Sequence, residues 1–242
     1  MLELRIDAKS YRSADGTPVE VVRGLKLRLE TGSFGALIGP SGCGKTTILK
    51  IAAGLDADFR GELQPPRPGR LGMVFQEPRL LAWRTVEQNI RLALPSERAG
   101  IELTELIEIL GLGAHLARYP GELSLGLARR VAIARAFAVD PDFLLLDEPF
   151  VSLDKATADR LRNELVALTT RAKVTTLFVT HDLSEAVQLA DRLFFLSDRP
   201  TRIILEKALP PPRGTRSKDM VASISDELRA LAAQATAGIR SD

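Results

Sequence analysis

Gly39-Pro40-Ser41-Gly42-Cys43-Gly44-Lys45-Thr46 has the composition and spacing of a loop that holds phosphate. Glycines let the backbone curl so that successive N–H groups point at phosphate oxygens, and the start of a following helix adds the positive end of its dipole. Lys45 would then reach the terminal phosphates, Thr46 would ligate a magnesium ion, and Thr47 would continue the cradle. The plain alternative is a glycine-rich turn ending in a surface lysine. Cys43 occupies a free position of the loop and reads as a small packing residue rather than a nucleophile.

A second group is Phe143-Leu144-Leu145-Leu146 followed by Asp147, Glu148 and Pro149. Four apolar residues ending in two acids have the shape of a buried strand whose last carboxylate emerges where α/β sheets collect ligands. Asp147 is placed to hold magnesium, directly or through water, and Glu148 to polarise an attacking water. Two acids at a strand end are otherwise a solvated turn. Between the two groups lies Leu123-Ser124-Leu125-Gly126-Leu127, a turn that opens a helix carrying Arg129 and Arg130. Helix N-terminal amides with a serine hydroxyl make a second candidate anion site.

With Gln76 after a strand-like run, Ser152-Leu153-Asp154, and His181 after Phe178-Val179-Thr180, these elements occur in a distinctive order. Over about Leu2 to Leu209 the chain resembles the ATP-binding subunits of ABC transporters. The resemblance implies ATP as substrate and Mg2+ as cofactor, held by the Gly39–Thr47 loop with Thr46, Gln76 and Asp147 toward the metal. It implies that Tyr11 stacks on adenine, that Gln76 senses a membrane partner and that His181 contacts the γ-phosphate. Asp154 would report across a dimer interface, and Ser124 and Gly126 would close on the ATP held by a second copy. By themselves, Tyr11 reads as a half-buried strand tyrosine, Gln76 as an exposed polar residue and His181 as a cap.

The family's signature turn usually has glycine where this chain has Leu125 and glutamine where it has Leu127. A leucine forced to positive φ at the first position would be strained by about 1 kcal/mol or more. Beyond Gln76, Leu80, Leu81 and Trp83 resemble the lid region of importers for nitrate, sulfonate, taurine and similar small anions. Trp83 reads either as an exposed docking anchor or as a core residue. The implied partners are a second copy or a paralogous ATPase, transmembrane permease subunits and, indirectly, a solute-binding protein. The implied location is the cytoplasmic face of the cell membrane, peripherally attached. The rival function is a soluble ABC ATPase that serves no transporter.

The elements that must position these groups follow from periodicity. Leu2, Leu4 and Ile6 alternate, as do Leu25, Leu27 and Leu29, with a turn at Asp15-Gly16, which predicts an N-terminal antiparallel β layer. Phe34–Ile38, 71–75, 143–146, 174–179 and 193–196 read as buried strands. Helical spacing covers 45–53 up to Gly54, most of about 77–139, then 156–171 and 184–190. Thr85 and Thr104 read as helix caps within that central stretch, and Pro95 as a stop. Strands alternating with helices predict a parallel α/β sheet interrupted by a helical insertion, which the resemblance implies is a P-loop NTPase fold with a RecA-like core and an inserted helical subdomain. After Leu209 a proline-rich linker leads to an amphipathic tail, about 210–242, with Met220, Ile224, Leu228 and Leu231 at helical spacing. The whole reads as one ABC ATPase domain, 1–242.

Composition bounds the rest. Lys+Arg 33 against Asp+Glu 31, a net charge of +2 over 242 residues, is too balanced for a chain that neutralises nucleic-acid phosphates. One cysteine and two histidines exclude an internal disulfide framework and the usual zinc cluster, and fit a reducing cytosol. No run is long enough and apolar enough to span a membrane, and the N-terminus lacks the pattern of a signal peptide.

Overall fold

The cross-strand register carries the first layer: Leu2 faces Leu29, Leu4 faces Leu27 and Ile6 faces Leu25, and all six side chains are buried. This pairs β1 (Leu2–Arg12) with β2 (Pro18–Leu29) in the computed structural model, which describes residues 1–64, 70–98 and 100–239. Next along the chain come β3 (Phe34–Ile38), α1 (Lys45–Ala52) and β4 (Arg60–Gln64), followed by β5 (Leu71–Val74), α2 (Val86–Arg91) and α3 (Thr104–Ile109). Then follow α4 (Leu125–Ala138), β6 (Phe143–Asp147), α5 (Lys155–Arg171), β7 (Thr175–Thr180) and α6 (Leu183–Leu189). β8 (Arg192–Leu196), β9 (Ile203–Ala208) and α7 (Lys218–Ile239) complete the order.

The chain divides into two units, Met1–Pro68 with Thr175–Asp242, and Gly69–Val174. In the first, the antiparallel layer has the order β2-β1-β4. β7, β3 and β8 run parallel side by side, and β9 joins the free edge of β8 antiparallel. β3 and β7 are buried at every residue, as continuous apolar runs in parallel strands require. In the second unit β5 and β6 pair in parallel beside α2, α3, α4 and α5. Among the described residues no strand lies between Val74 and Phe143.

The expected fold, an α/β P-loop NTPase with an N-terminal antiparallel layer and a helical insertion, is the one observed. Several boundaries differ. Thr85 caps α2 as expected, in a reciprocal box with Gln88, but the helix ends at Arg91, short of Pro95. Thr104 is not a cap: it lies inside α3, which Leu103 precedes without a capping side chain. In α7 Leu228 and Ser225 are buried whereas Met220 is exposed, so the buried stripe starts later than the apolar pattern implied. The end of the tail, 240–242, lies outside the described residues. β4, with its sequence Arg-Gly-Glu-Leu-Gln, shows no apolar alternation and forms because β1 offers it a free edge.

Candidate nucleotide-binding site

Parallel register brings the first pieces together. Ile38 of β3 pairs with Thr180 of β7, so Gly39 and His181 leave neighbouring strands at the same carboxyl edge. The loop that follows Gly39 is shaped by its surroundings. A β-carbon at Gly39 would lie 2.9 Å from Leu196 Cβ, and one at Gly44, where φ is 128°, would lie 2.8 Å from Val21 Cγ1. Buried Thr201 donates its hydroxyl to the Cys43 carbonyl and its N–H to the Val21 carbonyl at 2.8 Å, bracing the loop against β2. Lys45 is 5% exposed, and its Nζ donates to the carbonyls of Gly39 at 2.8 Å and Pro40 at 2.7 Å. Ser41, Gly42 and Thr46 are exposed. Burial pushes the Cys43 thiol up, which keeps it neutral and fits its reading as a packing residue.

Tyr11, near the end of β1, is 41% exposed and donates its hydroxyl to Asp56 Oδ2 at 2.7 Å. Lys9, almost fully buried, donates to Asp56 Oδ1 at 2.8 Å and lies 4.5 Å from the Tyr11 ring centroid. Partial burial pushes the phenol up, Thr47 opposes it through a side-chain hydrogen bond, and Asp56 reinforces it. The aromatic ring therefore stands beside the phosphate loop on a charged footing. His181 is exposed and is not the cap of α6: Asp182 is, accepting from the N–H groups of Ser184 at 2.7 Å and Glu185 at 3.3 Å.

In the second unit Asp147 ends β6 and is buried, and Glu148, half-buried, follows with φ of 44°. Ser124 caps α4, its hydroxyl accepting from the Leu127 N–H at 3.3 Å. Leu125 is the first helical residue and does not have positive φ, so the expected strain is absent. Leu125 is exposed and Gly126 buried. Asp154 caps α5 by accepting from the Thr157 N–H at 3.0 Å. Gln76 is exposed after β5, and Arg135 of α4 holds the stretch beyond it by donating to the Pro78 carbonyl at 2.9 Å and the Arg79 carbonyl at 2.8 Å. Trp83 is 71% exposed, which removes the core reading. Its loop is tied to fully buried Asn89, which donates to the carbonyls of Leu81, Arg84 and Thr85 and accepts from the Leu81 N–H.

A family model described as ABC transporter matches residues 22–151. The chain belongs to the ABC transporter family. It is 42% identical over 222 residues to the aliphatic sulfonates import ATP-binding protein SsuB of a Bacillus cereus strain, with 88% of each chain covered. It is also 42% identical over 217 residues to aliphatic sulfonates import ATP-binding protein SsuB 2 of Pseudomonas syringae pv. tomato, covering 89% of this chain and 91% of the relative. Among solved structures it resembles the ATP-binding cassette MJ0796, described as dimeric and in a post-hydrolysis state bound to ADP and Pi. That match has a TM-score of 0.76 and 27% identity, and covers 88% of this chain and 100% of the other.

The protein is thus an ABC ATPase cassette: it binds nucleotide and hydrolyses ATP. Thr46, exposed just after the phosphate loop, and Asp147, buried at the end of β6, each carry a hard oxygen of the kind that Mg2+ takes together with phosphate and water. Sequence reasoning missed Thr201, Asp56 and Asn89 in the cassette. The first two act on the phosphate loop and on Tyr11 from distant positions, with no local signal. Asn89 had one, a polar residue on the apolar face of a helix.

Proposed function

We propose that this cassette is the ATP-hydrolysing subunit of an importer for a small sulfonate-type anion, acting as a pair of copies beneath two permease subunits on the cytoplasmic side of the membrane. The observation that carries the reading is the 42% identity, across nearly the full chain, to aliphatic sulfonate import ATP-binding proteins of two bacterial genera. Trp83 supports it, because a large aromatic presented to solvent on a firmly tied loop has the character of an interface anchor. No described helix is long and apolar enough to cross a membrane, which fits a peripheral subunit.

In the proposed reaction the adenine of ATP stacks on Tyr11, and its phosphates lie in the Gly39–Thr47 loop, with Lys45 leaving the Gly39 and Pro40 carbonyls for the terminal phosphates. Thr46, Gln76 and Asp147 would hold Mg2+, which when bound would neutralise negative charge on the phosphates. Water attacks the γ-phosphorus, its oxygen forming the new P–O bond as the bond to the bridging oxygen of ADP breaks. Glu148 takes the proton of the attacking water, and His181 stabilises charge on the departing phosphoryl group. Ser124 and Gly126 of one copy close over the nucleotide of the other, and Asp154 lies toward that pairing surface. The dimeric neighbour with ADP and Pi supports this pairing.

The test is reconstitution. Tagged cassette should capture two membrane subunits from detergent-solubilised membranes, and its ATP hydrolysis in vesicles with those subunits and their solute-binding protein should rise with an alkanesulfonate but not with nitrate. Capture without sulfonate response would overturn the substrate class, and capture of soluble proteins alone would overturn transport.

A further inference from the structure

We infer that Arg129 is the positioning residue for Glu148, fixing the backbone turn that aims its carboxylate and tying that turn to the helix that begins at Ser124. The inference rests on Glu148 accepting the proton of the attacking water. Arg129 is 3% exposed in the second turn of α4, and its Nη1 donates to the Glu148 carbonyl at 3.3 Å and its Nη2 to the Val151 carbonyl at 2.8 Å. These bonds span a turn with two non-glycine residues in the left-handed region, Glu148 at φ 44° and Ser152 at φ 64°. Such conformations persist where the surroundings over-determine them, and they gather at functional sites.

Burying an arginine here carries the cost of desolvating its charge. Among the described residues its partners are main-chain carbonyls, no carboxylate offsets its burial, and Nε has no partner. An apolar residue of similar volume would avoid burying the charge but would leave the Glu148 and Val151 carbonyls without this donor. What a guanidinium supplies and an apolar side chain does not is a rigid fork that holds two carbonyls at a fixed separation. The fork sits on the helix whose first turn carries Ser124 and Gly126, so a displacement of that turn moves the backbone of Glu148 with it.

The experiment uses the full-length cassette with Arg129→Met, which keeps the apolar stem, and Arg129→Lys, which keeps one charged donor group. Binding of a fluorescent ATP analogue and the single-turnover hydrolysis rate are measured below the melting temperature of each variant. Arg129→Met is expected to leave the Kd unchanged and to lower the rate by about 10²-fold, the size of effect that misplacement of a reacting group produces. Arg129→Lys should recover part of the loss. In a Glu148→Gln background Arg129→Met should lower the rate no further, because a positioning residue has nothing left to position. An unchanged rate in Arg129→Met, or an equal loss in the Glu148→Gln background, overturns the inference. Should Arg129→Met not fold, Arg129→Lys carries the same comparison. Full turnover in Glu148→Gln would instead overturn the role of Glu148 itself.

Discussion

Gly126 packs so closely on Thr157 that a β-carbon added to it would lie 2.8 Å from Thr157 Cγ2. The signature turn is thereby held against the first turn of α5, next to the Asp154 cap. Leu125, exposed and without positive φ, fits where the family usually has glycine, whereas a side chain at Gly126 has to displace Thr157. Gly126→Ala should destabilise the cassette by about 1–3 kcal/mol, the usual cost of an overpacked site. Thr157→Ser removes Cγ2 and keeps the hydroxyl, so the double variant should recover most of that loss in a urea melt.

Leu125 opens α4 without positive φ, and it is exposed. Leu125→Gly therefore relieves no strain. It should cost up to about 1 kcal/mol through glycine's backbone entropy and leave the hydrolysis rate of the isolated cassette unchanged. A faster rate, read by steady-state kinetics, would mean that Leu125 restrains turnover by another route.

Glu148 and Lys45 should separate chemistry from binding. Glu148→Gln is expected to retain ATP and to lower turnover by roughly 10² to 10⁴, the range of a general-base contribution. Lys45→Ala removes the buried cation that now rests on the Gly39 and Pro40 carbonyls, and it should weaken ATP binding itself. Equal loss of nucleotide affinity in both variants, measured by calorimetry, would end this division of roles.

Trp83→Ala should change stability by no more than the amount typical of surface substitutions, about 0.5 kcal/mol, because the ring is 71% exposed, and a thermal melt checks it. The same variant should lose capture of membrane subunits. Asn89→Ala attacks the same loop from beneath. It strips the carbonyls of Leu81, Arg84 and Thr85 of a buried donor, and should lower both stability and capture.

Burial works against the charge of Asp56, yet Lys9 and Tyr11 hold its carboxyl below the usual carboxylate range. A depressed folded-state pKa means that this stabilisation is complete above an ordinary carboxylate value of about 4 and is lost as pH falls through the folded value. Asp56→Asn should flatten the acid limb of stability below that pH, followed by denaturant midpoints. It should also loosen the Tyr11 ring and weaken binding of ATP more than binding of inorganic triphosphate.

The sequence alone determined the phosphate loop, the acids after a buried strand, the helix that opens at the Ser124 turn and the α/β class. Each depends on residue types a few positions apart, where backbone geometry and hydrogen-bond reach are set by the local chain. Helix ends were harder: Thr104 has the chemistry of a cap, but α3 begins at Thr104 itself and Leu103 stands at the cap position. Tertiary structure alone decided what holds the site in shape. Thr201 reaches Cys43 across 158 residues, Tyr11 reaches Asp56 across 45, and Arg129 reaches the Glu148 carbonyl across 19. It also decided that Trp83 faces solvent and that Leu125 is unstrained. Burial, register and backbone angle at these places are set by which segments the fold brings together, and no spacing along the chain records that.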